Sequence, residues 1–449
     1  MNSRLSVMIS IVLAMLVASM DTTIMNTTMP IIAKELGGFS LYAWAFASYM
    51  ITTTVLSPIA GRLSDLFGRK NVFSFGILLF LIGSLLCGLS QNMVQLVLFR
   101  AVQGIGAGFM MPFPAIIAGD LFPMEKRGKI QAFFTAMWGI SAVLAPLLGS
   151  LFVEYATWRW IFYVNIPICL LSLVTLLPYK EVYEPKRAAV DYMGAMLFAV
   201  AVSLLLLVTV VEQGQWWYGA AGALLLVAFY VFEKRQPSPL VPLSLVQHRT
   251  LKWMNINGFV SCVALFGTSS YIPLFLQNVA HLSVFISGVA LLGSSIGWMI
   301  AAVPAGKWIL RYGYRPLLII GNVLLVASGL LLALLRESHG FWYVFFVMFV
   351  QGLSFGLTST VGIIGSQQLA DAHEKGIATS FFMFCRNIGT AIGVTVMGAF
   401  LTKAPTFMTG IHHLFLFGLI GSIAALVTSL FIHDEAEAGR NTWQPEGTA

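Results

Sequence analysis

Charge is scarce in this chain: only 10% of its 449 residues are charged and 58% are hydrophobic. A soluble globular domain carries about 25% charged residues, so a water-soluble fold is excluded. Acids are scarcer still toward the C-terminus, where no Asp or Glu falls inside any apolar run after residue 250. The weak ten-residue alternation of an outer-membrane barrel is absent, which leaves helices as the spanning elements, since a helix satisfies its own backbone groups. A Walker-type Lys-Ser/Thr loop, a metal-spaced His cluster and a nucleophile elbow are also missing, so nothing points to an enzyme. His412 and His413 are adjacent, and on a helix their rings diverge. The four cysteines, Cys87, Cys169, Cys262 and Cys385, stand singly in apolar runs and read as small buried hydrophobes.

What the chain does have is apolar runs near the roughly 20 residues that a helix needs to cross a bilayer. Fourteen spans are predicted, at 5–33, 41–61, 71–90, 93–119, 129–153, 158–178, 190–212, 215–232, 251–278, 284–306, 315–335, 341–368, 376–401 and 411–432. The first is too long for the apolar core of a signal peptide and reads as a retained span. With the N-terminus inside, 19 of the 25 basic residues lie on cytoplasmic segments, four (Lys34, Arg159, Arg336, Lys403) lie outside, and Arg100 and Arg386 fall within spans. This asymmetry obeys the positive-inside rule with both termini cytoplasmic. It also accounts for the net charge of +7 without nucleic acid as a partner.

Two segments echo each other. Gly61 to Lys70 follows the second span and Gly306 to Arg315 the tenth, at an offset of 245, while Gln103-Gly104 and Gln351-Gly352 match at 248. Similar offsets at successive features imply a parallel repeat: two six-helix halves around a midplane cavity. The expected organisation is a first bundle over 1–178, two inserted helices with cytoplasmic connections over 179–249, a second bundle over 250–433 and a cytoplasmic tail over 434–449.

One carboxylate, Asp21, stands inside the first apolar run. Placing an ionised Asp at mid-bilayer costs roughly 2.5 to 3.5 kcal/mol on insertion scales, so such a residue faces a cavity, takes a partner or takes a proton. Asp21 lies about 24 Å along its helix from the inner start, and Arg100 about 10 Å below the outer surface on the fourth, at about 1.5 Å per residue. The two reach similar depth. A buried pair would hold Asp21 ionised, and a wetter cavity or a substrate would loosen the pair and let the carboxylate protonate; a static structural ion pair is the plain alternative. Glu154 and Glu212, near the outer ends of the fifth and seventh spans, are candidate second proton or cation sites, although acids at helix ends commonly just meet water.

Taken together, these residues resemble the major facilitator superfamily, and within it the fourteen-helix drug/proton antiporter branch of the EmrB/QacA type. Gly61 to Lys70 is similar to the superfamily's signature loop. Arg100-Ala101-Val102-Gln103-Gly104-Ile105-Gly106-Ala107-Gly108 resembles the fourth-helix motif associated with proton coupling, Asp21 to Pro30 the first-helix antiporter motif, and Trp158 to Pro167 the run opening the sixth helix. The fifth-helix antiporter motif is altered: Gly139 is followed by Ala145-Pro146 and Gly149-Ser150, where the family usually has Gly-Pro and Gly-Gly. The resemblance implies an all-α polytopic membrane protein of the major facilitator fold. It would be a proton-coupled multidrug efflux antiporter in the bacterial cytoplasmic membrane, exporting lipophilic compounds, cations among them, by alternating access. It would act as a monomer, driven by the proton gradient without a cofactor or metal.

In that frame Gly61, Arg62, Asp65, Gly68, Arg69 and Lys70 form a conformational latch, its charged groups binding neighbouring helix ends. Leu310 replaces Asp65 in the second copy, so the latch is asymmetric. Candidate cavity residues are Asn26, Phe133, Trp138, Asn165, Asn255, Asn257, Gln351, Arg386 and Asn387, with helix tethering an equal possibility for Arg386. Two other readings stay open: a metal-ion or sodium/proton antiporter of the same fold, and a non-transporting membrane receptor or assembly partner.

Overall fold

The computed structural model describes residues 3–114, 117, 137, 140–141, 144–145, 147–179, 191–207, 215–236, 248–369 and 375–433. Among these residues every regular element is a helix. The first set comprises α1 (Ser3–Leu36), α2 (Tyr42–Phe67), α3 (Arg69–Gly88), α4 (Met93–Met110), α5 (residues 147–155), α6 (Trp160–Tyr163) and α7 (Asn165–Leu176). Two helices, α8 (Tyr192–Leu207) and α9 (Gln215–Glu233), separate these from α10 (Arg249–Ser269), α11 (Ile272–Asn278), α12 (Val284–Tyr312), α13 (Tyr314–Ala333), α14 (Phe341–Gln368), α15 (Lys375–Lys403) and α16 (Phe407–Leu430). Eleven helices among the described residues are long and apolar enough to cross a membrane, and Trp160–Leu176 and Met196–Leu205 are shorter apolar helices. Most of the fifth predicted span lies outside the described residues.

Local chemistry sets several helix starts. Asn92 caps α4 by accepting from the Gln95 amide at 2.9 Å, and the Gln95 side chain accepts from the amide of Gln91, the residue before the cap, at 2.9 Å. The Asn92 bond satisfies one donor that the first turn leaves without a partner. Ser283 and Thr406 cap α12 and α16 in the same way. Outward-facing side chains such as Leu98, Val303 and Ile420 are large, apolar and exposed, as a bilayer solvent requires. Trp216 and Trp217 project at the start of α9, a position suited to the membrane interface.

The repeat legible in the sequence reappears in the element boundaries. Helices α3 and α13 are each 20 residues long and begin 245 residues apart, and α14 begins 248 residues after α4. The segment expected to be a signature loop is a continuation of α2 to Phe67, broken only at Gly68, and its second copy continues α12 to Tyr312 and breaks at Gly313. Both glycines have positive φ, 86° and 82°, a conformation that costs glycine nothing and L-residues much. A single glycine therefore replaces a loop in each half.

The two halves meet closely at the end of the molecule carrying the α1–α2 turn. Tyr42 stacks on Tyr271 with ring centroids 5.4 Å apart, and Gln277 donates to the Thr27 carbonyl at 2.9 Å. One apolar cluster joins α1, α2, α11 and α15 there. A second seam runs where Ile51 and Val55 of α2 face Ile388 and Ala391 of α15. Helices α8 and α9 cover this seam, with Phe198 of α8 4.9 Å from Phe384 of α15 between centroids.

Candidate functional site

Asp21 and Arg100 meet. Arg100 Nη1 donates to Asp21 Oδ2 at 2.5 Å, and each residue is only 1% exposed. Arg100 is the eighth residue of α4 and Gln103 follows one helical turn later on the same face, so both reach α1. Gln103 Nε2 donates to Asp21 Oδ1 at 2.8 Å and to Ser84 Oγ of α3 at 2.7 Å, while its Oε1 accepts from Arg100 Nη1 at 2.7 Å. Asn165 of α7 donates to the same Ser84 hydroxyl at 3.0 Å. Arg100 also donates through Nε to the Ala45 carbonyl of α2 at 3.2 Å, and its Cζ lies 4.3 Å from the Tyr49 ring centroid. Five helices thus converge on one carboxylate.

Depth alone brought Asp21 and Arg100 together in the sequence; burial explains why neither is left alone. Breaking a buried pair by removing one partner typically costs about 3–5 kcal/mol, because the other charge stays uncompensated. Each carboxylate oxygen accepts one hydrogen bond, Oδ2 from Arg100 and Oδ1 from Gln103, which leaves acceptor sites on both. Close helix approach makes these bonds possible: a Cβ at Gly104 would lie 2.6 Å from the Tyr49 carbonyl oxygen of α2, so only glycine lets α4 come near enough.

The remaining candidates divide by placement. Gly149 of α5 packs on α1, where a Cβ would meet Ile24 Cγ1 at 3.1 Å and Thr28 Cγ2 at 3.2 Å. Glu154 is exposed at the end of α5 and does not join the Asp21 cluster. Asn165 is no cavity wall in this conformation, because it is buried in the Ser84 network. Asn257 is likewise turned away, donating to the Ala425 carbonyl at 2.7 Å and to Thr428 Oγ1 at 3.0 Å, both on α16. Gln351 is buried between α14 and α10, bonded to Thr268 Oγ1 at 3.0 Å. In all three the amide finds a neighbouring helix before it finds a cavity, as buried polar groups in hydrocarbon must.

Asn26 and Asn387 are half-buried. Asn255 lines a cavity of about 230 Å³ between α10 and α15. Arg386 is half-buried on α15 and donates to Ser359 Oγ at 3.0 Å. In the signature segment, Lys70 donates to the Leu177 and Tyr179 carbonyls at 2.6 and 3.1 Å, neutralising the end of α7; this ties α3 to α7 within one half. Arg69 is half-buried. Gly61, Arg62 and Asp65 lie in the helical extension of α2 with side chains outside the described set, and Glu212, Phe133, Trp138, Gly139 and Pro146 lie outside the described residues. Gln103 and Ser84 were missed as site residues by sequence reasoning. Gln103 had a signal, its one-turn spacing from Arg100, whereas Ser84 had none.

Known proteins share this architecture and sequence. The Major Facilitator Superfamily profile matches residues 11–297 and 254–447. Multidrug resistance protein 3 of Bacillus subtilis (strain 168) is 34% identical over 89% of this chain and 80% of its own length. The multidrug transporter protein MdtP of the same organism is 31% identical over 89% and 75%, and the multidrug efflux pump SdrM of Staphylococcus aureus (strain N315) is 28% identical over 94% and 95%. Among solved structures, a nucleoside transporter superposes with a TM-score of 0.70 at 14% identity, covering 96% of this chain and all of its own, and a D-xylose-proton symporter with 0.70 at 15% identity, covering 96% and 99%. With one profile spanning both halves, and with relatives above 30% identity over most of their length, the chain belongs to the Major Facilitator Superfamily, a family of transporters rather than enzymes.

Proposed function

We propose that the protein is a proton-coupled multidrug efflux antiporter of the fourteen-helix type, in the bacterial cytoplasmic membrane, with both termini in the cytoplasm. The observation that carries this reading is the buried carboxylate of Asp21 on α1, held by Arg100 and Gln103 of α4. The relatives' names supply the cargo: two are called multidrug transporters or pumps and one a multidrug resistance protein. The two bundles, residues 1–178 and 250–433, rock about the cavity between them, and the inserted helices brace the α2–α15 seam. With a cytoplasmic N-terminus, the closed end carrying Tyr42, Tyr271 and Gln277 faces outward, which makes this an inward-facing conformation.

In the proposed cycle Asp21 protonates from outside when the outer end opens, its bonds to Arg100 and Gln103 loosening. Inward return releases the proton and lets the pair re-form. Each proton entering at about 150 mV supplies roughly 3.5 kcal/mol, about 2.3 kcal/mol per 100 mV, enough for a few-hundredfold substrate gradient. Glu154, exposed at the end of α5, serves as an entry point for protons, with Glu212 proposed from the sequence as a second, and the Gly61–Lys70 segment steadies the inner ends. Purified protein in liposomes should move protons when an exported dye is added, and Asp21→Asn should abolish that movement while still binding dye. Undiminished proton movement in Asp21→Asn would remove the assignment. Dissipation of a pH gradient by sodium or divalent cations alone would favour the metal-ion or sodium reading instead.

A further inference from the structure

The second bundle carries an unexplained cation. Arg386 lies eleven residues beyond Lys375 on α15, about 17 Å along the axis at about 1.5 Å per residue, too deep to snorkel to either surface with ease. Helices α10 to α16 contain no Asp or Glu. Among the described residues of the first bundle the buried carboxylate is Asp21, and it is committed to Arg100. Of the five guanidinium donors, one is used, on Ser359 Oγ at 3.0 Å. The plane faces the Phe355 and Phe382 rings, with Cζ 4.9 and 5.8 Å from their centroids. An intramembrane cation with a single neutral acceptor is a functional group by default.

A second observation lies along the same α10–α15 seam. A cavity of about 230 Å³ is walled by Asn255, Ile256 and Phe259 of α10 and Phe381 and Cys385 of α15, with Lys252 also lining it. Asn255 is 7% exposed, and its Oδ1 has no hydrogen-bond partner. Whichever way the amide is turned, one polar group points into apolar surroundings without a mate, which costs about 1–3 kcal/mol unless a ligand supplies one. Arg386 follows the lining residue Cys385 and lies just outside that lining; its Cγ is 3.3 Å from where a Cβ on Gly258, one turn after Asn255, would be.

We propose that the α10–α15 seam recognises amphipathic aromatic compounds bearing an anionic group, their apolar body in the cavity, a polar substituent on Asn255, and a carboxylate or sulfonate on Arg386. Organic anions and zwitterions are then preferred to simple organic cations, because the charged side chains at this seam, Lys252 in the lining and Arg386 next to Cys385, are both cations and Asp21 is already neutralised. This deepens the transport reading by naming its substrate class, and rests on it for the word substrate alone. An anionic lipid headgroup carries similar chemistry but would have to leave the interface to reach this depth.

The test uses three pyrene probes of one skeleton: pyrenebutyrate, pyrenebutyramide and a pyrenebutyl trimethylammonium. Binding to the full-length protein is read by fluorescence in nanodiscs of zwitterionic lipid, in gluconate buffer. The carboxylate should bind roughly tenfold or more tighter than the ammonium, the size of a charge-assisted hydrogen bond. In Arg386→Gln the carboxylate-to-amide ratio should collapse toward one, and Arg386→Lys should restore most of it, which separates a charge effect from misfolding. Equal or tighter binding of the ammonium by wild type, an unchanged ratio in Arg386→Gln, or no binding of any probe overturns the proposal. Adding phosphatidylglycerol should leave the carboxylate affinity unchanged; competition would mean a lipid site and would overturn it too. If the preference holds but proteoliposomes transport none of the probes, the efflux reading falls and the recognition site stands.

Discussion

In the first bundle Gln103 bonds Asp21 and Ser84, with Arg100 beside it; in the second, Gln351, 248 residues on, bonds Thr268 Oγ1 and the Leu265 carbonyl. The position matching Arg100 is the fully buried Met348, and the one matching Ser84 is Gly329. Thr268 is the glutamine's partner in the second half, as the carboxylate is in the first, and bonds back to the Ala264 carbonyl of its own helix at 2.8 Å. The two copies therefore share a backbone plan and a glutamine, but only one holds a group that can gain or lose a proton. The difference teaches that packing is repeated and chemistry is not: the second cluster is a neutral cross-link, the first a charged one whose partners must be matched.

The comparison breaks hardest at Arg100. Arg100→Ala leaves Asp21 buried and unpaired and should cost about 3–5 kcal/mol, read as a lowered thermal midpoint in detergent. The double change Asp21→Asn with Arg100→Met, which copies the neutral state of the second bundle, should recover most of that loss while remaining uncoupled. A double variant no more stable than Arg100→Ala would mean that charge pairing is not what the first cluster satisfies.

Packing should fail equally in both halves. Gly104→Ala would drive a Cβ to 2.6 Å from the Tyr49 carbonyl oxygen, and Gly352→Ala one to 2.0 Å from that of Ser294. Each should cost about 1–3 kcal/mol by overpacking, and a marked difference in midpoint between them would contradict the shared plan. The smallest effect is expected at Gln351→Leu. Its Oε1 has no partner and Thr268 keeps its own backbone acceptor, so the loss should be about 1 kcal/mol or less, against a larger loss for Gln103→Leu, which strips a bond from a buried carboxylate.

How much of this was legible depends on what kind of signal each residue sends. A carboxylate in an apolar run is conspicuous, and rise per residue placed Asp21 and Arg100 at one depth; the 2.5 Å contact adds the facing direction that depth leaves open. Sequence supplies depth but not azimuth, which is why Asn165 and Asn257 were expected at the cavity and lie against Ser84 and α16 instead. The repeat offsets were readable, and they recur in α3 and α13. Glycine and charge between spans read as a loop, whereas α2 and α12 run on past the apolar segment, because Arg, Lys, Asp and Leu sustain a helix in water once the buried turns have nucleated it. Only the positive φ of Gly68 and Gly313 interrupts them. The partnerless Oδ1 of Asn255 could not be read at all, since lack of a partner is a property of the packed molecule.

The most direct test of the central claim, that Asp21 alone among the buried groups of the two clusters exchanges a proton during transport, is an infrared difference spectrum recorded on adding an exported compound to the reconstituted protein. A carboxylic-acid C=O band should change in wild type and in Glu154→Gln and be missing in Asp21→Asn. A band that persists in Asp21→Asn would contradict it.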